Sequence, residues 1–268
     1  MLNPIFDTNI ICHYTTIEYA KPILKDKMLK FSTFGGPGDP RENKNWDFDF
    51  IGHSLSQHQQ CREHHSKAPS IFNKFIKERC KTLSFCEWNN EDNDEFKRMN
   101  SGKNPISPYL QVIHRTSFAR SRMWTQYAGN HTGVCLVFSK DKITEQFLQL
   151  QSTFKQAQKF AKSVEYMYHR WDFNTSRKIS IADIFKFDTY PALYKHLNRF
   201  HHELFFLKNM DYRDEHEYRL VMTSEKSEDN IWLPIYSSLE AVIVGIDFPK
   251  KDCAEITELA QDAAIMYN

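Results

Sequence analysis

Short β-rich runs gather towards the two ends of this chain, and the long helix-forming stretches lie between them. Asn9–Tyr14, Leu29–Phe34 and Thr82–Trp88 read as early strands. Gly133–Ser139, a continuous apolar run, reads as a buried strand in mid-chain. Glu217–Thr223, Trp232–Ile235 and Ala241–Ile246 read as late strands. Helices are predicted after Thr15, at Ile71–Arg79, over 118–130, over Lys140–Phe160, over Ser180–Leu207 and at Cys253–Met266, with a short strand near Val164–Met167. This order predicts an α+β fold with a mixed or antiparallel central sheet. It excludes a regular doubly wound sheet, since strands and helices do not alternate and no GxGxxG turn is present.

Residues of the A, V, I, L, M, F, W, Y and C types make up 41% of the 268 positions and aromatics 14%, enough for a sizeable core. No repeat or linker-like stretch divides the chain, which predicts one domain over 1–268. It would carry a polar, His-rich insertion near 43–80 and a helical insertion near 140–207. With 35 basic and 34 acidic residues, formal charge is +1, so no general field captures nucleic acid. No apolar run is long enough to span a membrane and no signal peptide is legible, which predicts a cytoplasmic chain without membrane contact. Cys12, Cys61, Cys80, Cys86, Cys135 and Cys253 form no CxxC pair, and several of them sit in apolar, strand-like segments where Cys reads as a small buried hydrophobe.

Local signals sharpen the picture. Thr15 and Glu18 have capping-box spacing, and Pro22 falls inside the helix they would start, predicting a kink or a break. Gly35 to Pro40 is a dense turn cluster, and Asn89–Pro108 reads as a polar loop. In the helix over 118–130, Trp124, Tyr127, Ala128 and His131 share one face. Arg115, Arg120 and Arg122, interleaved with Phe118, Trp124 and Tyr127, suit either a basic aromatic surface or a solvated helix start.

The chemistry-bearing residues cluster late in the chain. On a strand beginning at Glu215, alternation puts Glu215, Glu217 and Arg219 on one face, with His216, Tyr218, Leu220 and Met222 on the other. Two carboxylates beside a guanidinium suit a catalytic or ligand-holding role. The same pattern also suits an edge strand with a solvated salt-bridge ladder. His13 at the end of the first strand has the chemistry to hold a polyol. His53, His58, Cys61, His64 and His65 fit no zinc spacing, so no metal is expected there.

Several of these segments together resemble a bacterial family, domain of unknown function twenty-nine seventy-one. They are His13-Tyr14-Thr15, Gly38-Asp39-Pro40, Ser84-Phe85-Cys86, Trp124 through Phe138, and Glu215 through Arg219, with Lys208 upstream of the last. Gly38 and Cys86 depart from the family pattern, which has Asn and Ser there. The order of motifs is similar to the ADP-ribosyltransferase-like plan.

That resemblance implies an enzyme consuming NAD as its substrate. Glu217 would be the catalytic carboxylate, with Glu215 activating the acceptor and Tyr127 against the leaving nicotinamide. His13 would hold the ribose and Arg219 a phosphate or Glu217. Tyr14, Thr15, Ser84, Trp124 and His131 would complete the NAD site. The acceptor stays open among nucleic acid, protein and water. A role as toxin or phage-defence effector, with an inhibitor or regulatory partner, is also implied. Two other readings stand beside it: a nucleotide- or nucleic-acid-binding module without catalysis, and a metal-dependent nuclease using Asp39, Glu42, Glu215 and Glu217.

Overall fold

A computed structural model of the chain describes residues 9–35, 42, 44–51, 67–88, 116–151, 157–168, 176–187 and 189–265. The Gly38-Asp39-Pro40 motif, the His53–His65 group, the Asn89–Pro108 loop and Arg115 lie outside the described residues.

The chain begins with β1 (Ile10–Thr15), α1 (Ile17–Asp26), β2 (Met28–Lys30), β3 (Ser32–Thr33), β4 (Asp49–Ile51), α2 (Ala68–Arg79) and β5 (Cys80–Glu87). Its middle holds α3 (Ser121–Tyr127), β6 (Val134–Ser139), α4 (Lys140–Gln149), β7 (Lys159–Ser163), β8 (Glu165–Met167) and β9 (Lys178–Ser180). There follow α5 (Ile181–Phe187), α6 (Thr189–Phe205), β10 (Leu207–Asn209), a 3₁₀ turn (Met210–Glu215) and β11 (Glu217–Thr223). The last elements are β12 (Trp232–Pro234), β13 (Leu239–Val244) and α7 (Cys253–Ile265).

Seven strands form the central sheet in the order β13-β6-β1-β5-β11-β7, with β3 also on β5. Every pairing in it is antiparallel. Two small parallel pairs, β8–β10 and β4–β9, and an antiparallel β2–β12 pair lie apart from it. This is the expected α+β class with an antiparallel central sheet.

Both faces of the sheet are covered. Ile11, Leu83, Phe85, Leu136, Phe138, Leu220 and Met222 point to one face and pack with Leu24 of α1, Phe147 of α4 and Ile256 of α7. On the other face Val221 packs with Phe72 and Ile76 of α2 and Leu197 and Phe205 of α6. Cys12, Cys86, Cys135 and Val137 pack there with Met123 and Trp124 of α3. A strand covered twice needs apolar residues at every position, which is why β6 reads as a continuous run. Fully burying one such side chain contributes about 1.5–3 kcal/mol. Cys12, Cys80, Cys86 and Cys135 are buried free thiols, as expected, whereas Cys253 is exposed.

Several sequence expectations need correction. The stretch Leu29–Phe34 is two strands, because Phe31 turns its amide to Ile231 O and β2 leaves the main sheet for β12. The helix after β1 is capped at Thr16, without a side-chain bond, and Thr15 stays in the strand. It runs undivided through Pro22, since its amphipathic face buries Ala20 and Leu24. The helix over 118–130 ends at Tyr127 because Gly129, Asn130 and His131 all have positive φ. The helix predicted over Lys140–Phe160 ends at Gln149, and Phe160 instead pairs with Val221. Phe200 has non-helical dihedrals within α6, and Leu207 belongs to β10.

Two corrections bear on function. Glu215 is not on the strand: it closes the 3₁₀ turn, and His216 follows in the left-handed region at φ 40°. Nor is β11 an edge strand. It lies between β5 and β7 with all seven residues buried, which removes the solvated-ladder reading.

Candidate functional site

The site begins as a gap in the sheet. Strand β5 pairs with β11 along seven residues, but on its other side it meets β1 at only two, Ile11↔Glu87 and Cys12↔Cys86. Further along the same side it meets β3 at Ser32↔Thr82 and Thr33↔Lys81. Between these contacts Leu83, Ser84 and Phe85 have no strand partner on that side among the described residues. A cavity of about 950 Å³ opens there. Its size falls within the range of roughly 300–1,000 Å³ common for small-molecule sites.

One wall of the cavity is a buried charge cluster. Period-two geometry on β11 sends Glu217 and Arg219 to the same face as Ser84 of β5. Arg219 holds Glu217 in a two-pronged contact, Nε to Oε1 at 2.7 Å and Nη2 to Oε2 at 2.8 Å. Its Nη1 donates to Glu42 Oε1 at 3.0 Å and to Phe205 O at 2.6 Å. The Lys208 ammonium from β10 bridges Glu215 Oε2 at 2.8 Å and Glu217 Oε2 at 2.9 Å. Ser84 Oγ donates to Glu217 Oε1, and Tyr127 OH donates to Glu215 Oε1 at 3.1 Å. The amide of Glu217 donates to Tyr166 OH.

Burial by itself would raise the Glu217 carboxyl. The Arg219 guanidinium and the Lys208 ammonium outweigh it and hold that carboxyl well below its ordinary range. Burial likewise works against the charge on Lys208, but Glu217 and Glu42 reverse the direction and keep it protonated. Burial first, and then the charge of Glu215, push the Tyr127 hydroxyl up, so it stays a donor. Glu217 is therefore held as the anion and Lys208 as the cation.

The two glutamates are not equivalent. A carboxylate offers about four lone-pair directions. Glu217 spends its own on Arg219 twice, on Ser84 and on Lys208. Among the described residues Glu215 meets only Tyr127 and Lys208, which leaves accepting capacity on a wall of the cavity.

The structure distributes the predicted residues unevenly. His13, Tyr14, Thr15, Ser84, Tyr127, Glu215, Glu217 and Arg219 all line the cavity. His13 does so from the opposite side of the sheet: it pairs with Leu136 and sets its ring edge-on to Phe85 at 5.8 Å. Its Nδ1 is 3.0 Å from Ser84 O, a link across the gap, and burial lowers its proton affinity despite that carbonyl. The Tyr14 hydroxyl is already committed, donating to Ser117 O at 2.6 Å.

Trp124 and His131 do not reach the cavity. Trp124 donates to Phe118 O and packs against Tyr14, and His131 lies beside Trp124 with Nε2 on Thr125 Oγ1. Of the arginines, Arg122 is docked on Asp211 O and the Tyr212 ring, and Nε and Nη2 of Arg120 are buried.

Sequence reasoning gave Lys208 no role and placed Glu42 only in the nuclease alternative, yet both complete the cluster. It missed Tyr166 altogether. Glu42 lies 177 residues from Arg219, and no local spacing signals that contact. Among the described residues, no group of three or more His, Cys, Asp or Glu side chains is arranged to hold a metal ion. Nor is any helix long and apolar enough to cross a membrane.

No curated protein and no solved structure gives a match to the chain. The segment from Met123 to Leu220 carries Tyr127, Lys208, Glu215, Glu217 and Arg219, the greater part of the cluster. Over those residues, 123–220, the chain matches the family described as Protein of unknown function (DUF2971), the family its motifs resemble.

Proposed function

We propose that the chain is an NAD-consuming, ADP-ribosyltransferase-like enzyme whose reaction takes place in the gap between β1 and β5. The observation that carries this reading is Glu215. It is a buried carboxylate on a cavity wall, and among the described residues its partners are Tyr127 and Lys208, which leave it accepting capacity.

The chemistry asks for such a group. The bond between ribose C1′ and the nicotinamide nitrogen breaks, nicotinamide leaves with the electron pair, and positive charge develops on the ribose. A fixed anion beside that centre stabilises the transition state without reorganising. A hydroxyl of water or of an acceptor then adds at C1′ and gives up its proton, for which Glu215 is the nearby base. Tyr127 orients Glu215. Glu217 is saturated, so its task is to hold Arg219, Lys208 and Ser84 in place. His13 faces the ribose from the far side of the gap.

The test is free nicotinamide, followed by chromatography after incubation with NAD, with and without RNA, DNA and lysate. Wild type should release it, and Glu215→Gln should be slower by about 10²–10⁴-fold. Added acceptors then separate transfer from hydrolysis. Wild type that binds NAD and releases nothing would sink the enzyme reading.

The saturation of Glu217 favours a second reading, a nucleotide-binding module without turnover. A metal-dependent nuclease is disfavoured, because Arg219 and Lys208 fill the space among Glu42, Glu215 and Glu217 that a divalent cation would need.

A further inference from the structure

The cavity has a second end. Along β11 and β5, Cys86 pairs with Glu217 and Lys81 with Met222. Five residues separate the two positions, about 17 Å at ~3.3 Å per residue. The same cavity is lined by β2, β12, α1 and the segment 227–230, and Lys81 meets the last of these at Ser227 O.

Three features distinguish this end. Lys81 is only 3% exposed, and its ammonium donates to Ser227 O at 2.5 Å. It forms no ion pair among the described residues, so a three-donor cation is held with one carbonyl as its hydrogen-bond acceptor. Burial lowers its proton affinity, and the nearby acidic side chains only partly oppose this. Those side chains are turned onto their own loop: Glu228 accepts from Ser227 Oγ at 2.9 Å and Asp229 from Lys226 N at 2.8 Å.

Trp232 supplies the second feature. It is 44% exposed on β12, with the Lys30 ammonium 5.5 Å from its ring centre. Tyr19 on α1, 68% exposed, lines the same cavity and is the third. Flat aromatic surface in the same cavity as a buried cation with one carbonyl acceptor is the chemistry that recognises a base joined to a phosphate.

We propose that this end is a mononucleotide subsite, in which Lys81 takes a phosphate and Trp232 stacks on the base. In combination with the NAD reading above, on which its orientation rests, the adenosine half of the dinucleotide lies here and the reacting ribose lies at Glu215.

The test is a calorimetric titration of adenosine 5′-monophosphate, adenosine and inorganic phosphate into wild type, Lys81→Met, Trp232→Ala and, as a lysine outside the cavity lining, Lys142→Met. Adenosine monophosphate should bind wild type, lose at least tenfold in Lys81→Met, and stay within twofold in Lys142→Met. Adenosine should ignore Lys81→Met and weaken in Trp232→Ala. Equal binding of the monophosphate by wild type and Lys81→Met, or none by wild type, overturns the subsite.

If Lys81→Met fails to show a cooperative melting curve, Trp232→Ala decides. Both nucleoside and nucleotide must then lose at least fivefold, and unchanged affinity overturns the proposal. The two readings fail separately. Monophosphate binding without nicotinamide release removes the catalysis and keeps the subsite. Nicotinamide release with an unchanged KM for NAD in the Lys81 variant does the reverse.

Discussion

Arg219 joins three parts of the chain at one guanidinium: Glu217 on its own strand, Glu42 from early in the sequence, and the main chain at Phe205. Removing it leaves two buried carboxylates short of their counter-charge. Arg219→Met should therefore cost about 3–5 kcal/mol in urea unfolding, far more than loss of an exposed pair. The pairing of Glu217 with Arg219 was legible from period-two alternation. The contact with Glu42 was not, because nothing local records it.

Acid should also act through single residues. The Glu217 carboxyl is held below its ordinary pKa of 4.5, so its contribution to stability is complete above that pH and is lost as pH falls below it. His216 is displaced in the same direction, down to about 4 from 6.5, by burial first and then by the charge of Arg120. The unfolded chain then takes up that proton before the folded one does, and stability falls as pH drops from about 6.5 to 4. His216→Asn keeps a residue tolerant of the left-handed backbone at φ 40° and removes the titration. Its urea midpoint should change less than that of wild type between pH 6.5 and 4, while both lose stability below that window.

Among the elements, the run from Trp124 to Phe138 is the most telling. Its helical spacing put Trp124 and His131 on one face, which suits packing against the sheet, and the family resemblance implied a place for both in the site. In the fold most of its unusual residues build a turn: Gly129, Asn130 and His131 have positive φ, and Gly133 brings β6 close to Thr15 O. Only Tyr127 of its aromatic and histidine residues reaches the cavity. A linear motif cannot separate residues that shape a turn from residues that touch a ligand, since both demand particular side chains.

Gly245 belongs to the same construction. A Cβ there would lie 2.0 Å from His131 O, and main chain cannot step aside as a flexible side chain can. Gly245→Ala should cost about 3 kcal/mol, the upper end of overpacking, in a thermal or urea melt. Loss of stability near zero would mean that the His131 turn is looser than described.

Across the whole molecule, the strands themselves were largely legible and their order was not. Apolar runs such as Gly133–Ser139 announce burial, but the β13-β6-β1-β5-β11-β7 order depends on pairings between distant segments. The same holds for the cavity, which exists because β1 and β3 each pair with a different end of β5.

That arrangement has a mechanical side. A sheet with a notch bends at the notch, because stiffness is lowest where fewest ladder bonds cross. Here β13, β6 and β1 form one stiff plate, joined to β5 and β11 through two residue pairs and the His13–Ser84 strut. Flexing of the two plates changes the width of the gap and works against the apolar core that spans them, where Phe85 of β5 meets Phe138 of β6. Whatever occupies the gap works as a wedge, and its fit is set by the compliance of the sheet as well as by the side chains that line it.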